Sequence, residues 1–385
     1  MTCTLSYYGE AGRRKVSYGV FFAALLVGLA FFAYYYGQGL TTAHYDAKAR
    51  LVVARRIVDS LEPGYAQIGT QWLPLLHLLY LPLVVFDAQY RSAFAPSLIS
   101  VVAFALSVTL AYRISLRLTR SVAAGIFAAV LLLANPNLEY LQSCPLTEPV
   151  YMLLMLCATE RLIAWREVNG PGLPWQAALC TGLGALCRYE GWYFFGGVMA
   201  LLAIDFQRQY LARKHILKAA AIFMAFFAVP VGAHFGYIHY RLGSNFFLTV
   251  AQGYHSPYVT YKRPFLSALY HLGELSQITG ILPLGAAVAG LVVFLRQREN
   301  WRKYAPLVLL WMPSLINISA LYWGLIYRVR YSVLLLPAVA IFAGLIMTRS
   351  AAKRQTLFWL AVTAMILPWI SWLWAGIKPG PGILW

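Results

Sequence analysis

Long apolar runs separated by short clusters of charge dominate this chain, and the length of the runs sets the architecture. A stretch of about 17 to 25 apolar residues crosses a hydrocarbon core as a helix, whereas a soluble helix needs only one apolar stripe. Such runs fall at residues 17–36, 94–112, 121–135, 149–165, 175–187, 191–205, 217–235, 275–295, 304–323, 331–347 and 357–374. The pattern predicts a single all-α, polytopic transmembrane domain over residues 1–385, with about ten to eleven spans. The first run follows Arg13, Arg14 and Lys15 and ends in Tyr34, Tyr35 and Tyr36, so it reads as an uncleaved anchor with an interfacial aromatic belt.

Two connections are longer than linking spans requires, residues 37–93 and 236–274. In the first, Ala47, Leu51, Ala54, Ile57, Val58 and Leu61 recur at helical spacing with Lys48, Arg55, Arg56, Asp59 and Glu62 between them. That alternation predicts an amphipathic helix lying along the membrane surface. A second apolar piece, residues 72–86, contains Pro74, His77 and Pro82 and is short for a span, which predicts an interfacial or dipping segment.

Composition agrees with a lipid solvent: 61% of the 385 residues are hydrophobic and 11% charged. A soluble globule of that size needs more polar surface. The net charge of +18 is spread between spans instead of gathered on a polar domain, which speaks against a nucleic-acid partner. Its distribution reports topology, because Arg113, Arg117, Arg120, Arg161, Arg166, Arg302 and Lys303 all fall in alternate loops. The positive-inside rule then places the N-terminus in the cytoplasm and both long loops outside. Short loops point to a bacterial or archaeal plasma membrane. Cys157, Cys180 and Cys187 lie inside apolar runs, so a disulfide or cysteine-metal framework is not expected. There is no phosphate-cradling glycine loop, nucleophile elbow or dedicated metal motif, which removes nucleotide-driven pumps and most hydrolases. His234 and His239 lack the spacing of a helical metal pair.

Ionised groups beside apolar runs are costly and are usually paired or functional. Asp46 opens the surface helix and is placed either to take a proton from a hydroxyl nucleophile or to cap the helix, with Arg50 one turn on. Glu148, followed by Pro149, stands at the outer start of a span and fits a site or a cap equally. Arg188 and Glu190 interrupt an apolar stretch, as a charged pair or as an interfacial turn. Arg328 and Arg330 precede residues 332–347 at headgroup height, where a guanidinium grips a phosphate, either of a ligand or of bulk anionic lipid. Arg55 and Arg56 allow the same two readings. The second loop holds Tyr237, Tyr240, Phe246, Phe247, Tyr254, Tyr258, Tyr261 and Tyr270, which could stack on a sugar or an isoprenoid but first of all are what any membrane interface collects.

Taken in order, Asp46, Trp72-Leu73-Pro74-Leu75, Thr147-Glu148-Pro149, Arg188-Tyr189-Glu190-Gly191 and Arg330-Tyr331 before Leu336-Pro337 resemble the GT-C glycosyltransferases. Within them the chain looks like the branch of protein mannosyltransferases, the aminoarabinose transferase of lipid A and RgtA-like transferases. The resemblance implies a polyprenyl-phosphate or diphosphate sugar donor used at the outer face, and a glycan, lipid or protein acceptor. It implies Asp46 as catalytic base, Arg328 or Arg330 near the donor phosphate, and Arg188, Glu190 and Glu148 lining the same cavity. Two features depart from the pattern. Ala47 follows Asp46 where many relatives carry Glu, which leaves a divalent cation an open question, and the chain ends soon after Trp374, without the outer domain of larger relatives, which leaves the acceptor open.

The rival expectation is a transporter or flippase of a lipid-linked or anionic solute, which as many spans would also suit. Charges gathered at one face and the lack of internal symmetry argue against it. A noncatalytic scaffold would have no use for carboxylates beside arginines in long outer loops.

Overall fold

The computed structural model describes residues 10–170, 172–243, 259–325 and 329–347. Every regular element among them is helical: α1 (Glu10–Gly37), α2 (Tyr45–Arg56), α3 (Leu75–Val84), α4 (Asp87–Ser92), α5 (Phe94–Thr119), α6 (Val122–Leu133), α7 (Pro136–Gln142), α8 (Thr147–Glu167), α9 (Trp175–Cys187), α10 (Glu190–Arg208), α11 (Arg213–Leu242), α12 (Pro264–Thr279), α13 (Ile281–Arg296), α14 (Arg298–Tyr304), α15 (Pro313–Trp323) and α16 (Leu336–Met347), with 3₁₀ turns at Tyr65–Ile68, Ala305–Trp311 and Val329–Leu335. The predicted span 357–374 lies outside the described residues.

One predicted span ends in a sharp turn and another is broken. Residues 121–135 end at Asn135, where α6 turns by 68° into α7. The Asn135 side chain accepts from the backbone N–H groups of Asn137 and Leu138 at 3.1 and 3.4 Å, and Pro136 takes the first helical position. This is a new helix start set at the end of an apolar run. Residues 275–295 are split at Gly280, whose φ of 80° lets α12 and α13 meet at 117°.

Among the described residues five spans are long and apolar enough to cross a membrane by themselves, and the bent pairs raise that to seven. The other predicted spans, α8, α9 and α10, fall short through charge or length: α9 has 13 residues, and α8 carries Glu148, Glu160, Arg161, Arg166 and Glu167. Most of α8 is buried in the bundle, whereas α10 leaves Tyr193 and Ile204 exposed. The centre of the bundle is α5, packed on α1, α6, α8 and α16, with Phe104, Tyr112 and Tyr151 fully buried. Tyr18, Phe22 and Leu26 of α1 remain exposed, as a lipid-facing helix requires.

The surface helix is present but shorter than predicted. α2 buries Ala47, Leu51 and Ala54 against α3, then stops at Arg56. Pro63 disfavours helix before it, and the Gly64 N–H donates to the Ile57 carbonyl at 2.9 Å to close a loop that leaves Val58 and Leu61 exposed.

Charge is sorted to opposite ends of α8, which Glu148 and Arg166 separate by roughly 27 Å at helical rise. At the far end buried Glu160 is gripped by Arg161 at 2.6 Å, Arg113 at 3.0 Å and Arg117 at 3.6 Å, and Arg166 pairs with Asp205. The residues assigned to the cytoplasmic loops thus gather together. Those assigned outside gather at the near end.

Candidate active site

The near-end cluster begins where α1 gives way to α2. Tyr140 donates to the Leu40 carbonyl at 3.2 Å and pins the intervening turn. The cap of α2 is His44, whose Nδ1 accepts from the Asp46 N–H at 3.1 Å. Asp46 is therefore not the cap. It is the second helical residue, its carboxylate is 23% exposed, and it forms an ion pair with Arg330 and not with Arg50.

Arg330 sits in the 3₁₀ turn before α16, so the cluster joins the first long loop to the last described helix. Its guanidinium also meets the His44 ring, and its Nε lies 3.7 Å from Glu148 Oε1. Glu148 is the second residue of α8, after extended Leu146, and again it is no cap. Its Oε1 forms an ion pair with Arg188 at 2.9 Å.

Arg188 ends α9 in an extended conformation and uses nearly all of its donor fork. It donates to Glu190 at 2.7 and 3.2 Å and to Thr147 Oγ1 at 2.7 Å. Arg188 and Glu190 face each other because α10 starts hard against the last turn of α9. A Cβ on Gly191 would lie 2.6 Å from the Gly184 carbonyl and the Ala185 nitrogen, so a side chain there would force the junction apart. The Tyr331 ring lies 5.1 Å from the Arg188 guanidinium and 5.4 Å from that of Arg330.

One turn beyond Asp46, Arg50 is buried with its guanidinium 4.6 Å over the Trp72 ring. His77 of α3 stands edge-on to Trp72, with its Nδ1 3.3 Å from the Arg50 carbonyl. The site therefore combines three cations, Arg50, Arg188 and Arg330, with three carboxylates, Asp46, Glu148 and Glu190. Removing so many charges from water is costly, and ion pairs offset that cost for all of them but Arg50.

Burial alone would raise the Asp46 carboxyl, but the charge and hydrogen bond of Arg330 outweigh it and hold the group below the usual carboxylate range. Burial lowers His44 to about 4, and Arg330 pushes the same way. Near neutrality Asp46 is an anion and His44 a neutral imidazole.

Five of the predicted site residues, Asp46, Glu148, Arg188, Glu190 and Arg330, come together here. Arg55 and Arg56 do not join them. Arg55 ties α2 to the end of α3 and the start of α4, through Asp59 at 2.7 Å, Asp87 at 2.8 Å and the carbonyls of Val84 and Val85. Arg56 is exposed. Arg328 lies outside the described residues, as do Phe246, Phe247, Tyr254 and Tyr258 of the aromatic second loop. His234 hydrogen-bonds the Tyr65 hydroxyl at 2.8 Å. Among the described residues no group of three His, Cys, Asp or Glu is placed to hold a metal ion. Sequence reasoning missed His44, Trp72 and Tyr331 as site residues and took Arg50 only as a helical partner of Asp46.

The described residues thus form a helical membrane bundle with its charged cluster at the junction of the first long loop, the start of α8, the α9–α10 turn and the run into α16. The structure is similar to the crystal structure of ArnT from Cupriavidus metallidurans bound to undecaprenyl phosphate, with a TM-score of 0.64 and 14% identity over 96% of this chain and 66% of ArnT. It is also similar to ArnT from the same organism in the apo state, with a TM-score of 0.58 and 14% identity over 86% of this chain and 60% of ArnT. The chain thus spans about two thirds of the length of ArnT or less, and the likeness is one of fold. No protein-family model and no curated protein matches the sequence.

Proposed function

We propose that this chain is a membrane glycosyltransferase that moves a sugar from a polyprenyl-phosphate donor to an acceptor hydroxyl at the outer face. The observation that carries this reading is the Asp46–Arg330 pair inside a buried ionic cluster, on a fold shared with a protein solved with undecaprenyl phosphate. A carboxylate and a guanidinium held in contact suit the two charges that such a transfer develops.

In this mechanism the Asp46 carboxylate takes the proton of the acceptor hydroxyl. The oxygen attacks the anomeric carbon, the bond from that carbon to the phosphate oxygen breaks, and the electron pair leaves with the lipid phosphate. Attack opposite the leaving group inverts the anomeric centre. Arginine stabilises the negative charge as it builds on the phosphate, an interaction stronger in the transition state than in the ground state. While Arg330 holds Asp46, the carboxylate is a weak base; when the phosphate draws Arg330 away, burial raises its proton affinity. Donor binding would then arm the base.

Glu148 and Glu190 hold Arg188 in the cluster. The inner-loop arginines at the far end support a cytoplasmic N-terminus and an outward-facing site.

The test is to reconstitute the full chain in vesicles with a panel of polyprenyl-phosphate sugars and membrane extract as acceptor source. Release of sugar-free lipid phosphate supports the transferase reading. Movement of intact donor across the bilayer without cleavage would instead make the protein a flippase.

A further inference from the structure

The three guanidiniums of the cluster differ in what they have left to offer. Arg188 is chelated by Glu190, Glu148 and Thr147, and removing it from them would expose two buried carboxylates. Arg330 is engaged by Asp46 and His44. Arg50 is 7% exposed, its Nε is buried without an acceptor among the described residues, and no carboxylate pairs with it there. Its guanidinium lies over the Trp72 ring, a contact that consumes none of its N–H donors.

A buried cation in that condition is costly until an anion meets it. The surroundings lower its proton affinity through burial first of all, as expected of a charge without a direct counter-ion. Arg50 also lies one turn from Asp46 on α2, so both face the same side at about 6 Å between Cβ atoms. That separation suits a base at the acceptor hydroxyl and a cation at the phosphate on either side of one anomeric carbon.

We infer that Arg50 binds the phosphate of the lipid-linked donor, presenting its unbonded N–H groups to the phosphate oxygens while Trp72 fixes its plane. The inference rests on the transferase reading above and assigns the phosphate to a residue other than Arg55, Arg56 or Arg328. Planar two-point recognition of a phosphate needs arginine, and lysine replaces it only as a point charge.

The experiment compares binding of undecaprenyl phosphate with binding of phosphate-free undecaprenol to the purified full chain. Wild type should prefer the phosphate by about tenfold or more, the difference one charge-assisted contact makes. Arg50→Ala should reduce that preference to about twofold, Arg50→Lys to an intermediate value, and Arg55→Ala should leave it unchanged. A role in packing alone would lower thermal stability but spare the preference for phosphate. If Arg50→Ala does not fold, Arg50→Lys decides: full wild-type preference overturns the inference. Full preference in a folded Arg50→Ala overturns it too, leaving the transferase reading intact. A wild type that binds both lipids equally overturns both.

Discussion

Asp46 and Arg330 are 284 positions apart in the chain and meet as an ion pair, so the second residue of the first-loop helix is fixed by the turn that leads into α16. The pair ties the charged cluster together from both ends of the sequence. It also keeps the proposed base charged and held while no donor is present, because the guanidinium that neutralises Asp46 is suited equally to a phosphate.

The pH dependence of transfer follows from that pair. Asp46 lies below its ordinary value in the folded protein, so its share of stability is fully present above the unfolded value of about 3.9 and is lost as pH falls through the lowered native value. In Arg330→Gln the largest opposition to burial is gone and only the weaker influence of Arg50 and His44 remains, so the acid limb of the kcat/KM profile should move up by about one unit. An acid limb at the same pH in the variant and the wild type would show that Arg330 does not control Asp46.

Arg188 is expected to matter for stability more than for chemistry. Arg188→Ala strands Glu148 and Glu190, both buried, and should cost about 3–5 kcal/mol in denaturation of the purified protein. Replacing Arg188 and Glu190 together by Met removes the charge and one of its partners, and should recover part of that loss. A double variant less stable than Arg188→Ala would contradict the pairing.

Sidedness is open to direct labelling. With the five native cysteines replaced, Leu61→Cys in the exposed loop after α2 should react with a membrane-impermeant maleimide added to intact cells, while Lys303→Cys should react only after permeabilisation. The reverse pattern would put the cluster on the cytoplasmic side.

Much of the architecture was legible because apolar runs end where charge or proline makes lipid intolerable. The predicted span 175–187 coincides with α9, bounded by Pro174 and Arg188. The end of the run at Asn135 was legible, but the turn into α7 and the break at Gly280 inside the predicted span 275–295 were not, since only local backbone geometry reveals them. Glu148, Arg188, Glu190 and Arg330 stood out as charges interrupting apolar sequence. Arg55 and Arg56 looked no different, because sequence gives no reference for the rotation of α2: Arg50 is buried over Trp72, Arg55 lands on Asp87 and Arg56 on the surface. Arg50 was masked by its spacing from Asp46, which suits a helical ion pair that the fold does not form. His44 is a lone histidine in a loop, and no pattern around it announces a helix cap that also touches Arg330.

The central claim is best tested by following sugar transfer and donor binding together in wild type and Asp46→Asn. The substitution keeps the side chain's size and removes its basicity, so turnover should fall by about 10²-fold or more while undecaprenyl phosphate binding stays within a few fold. Turnover that survives in Asp46→Asn at the wild-type rate would contradict Asp46 as the base and the mechanism built on its pairing with Arg330.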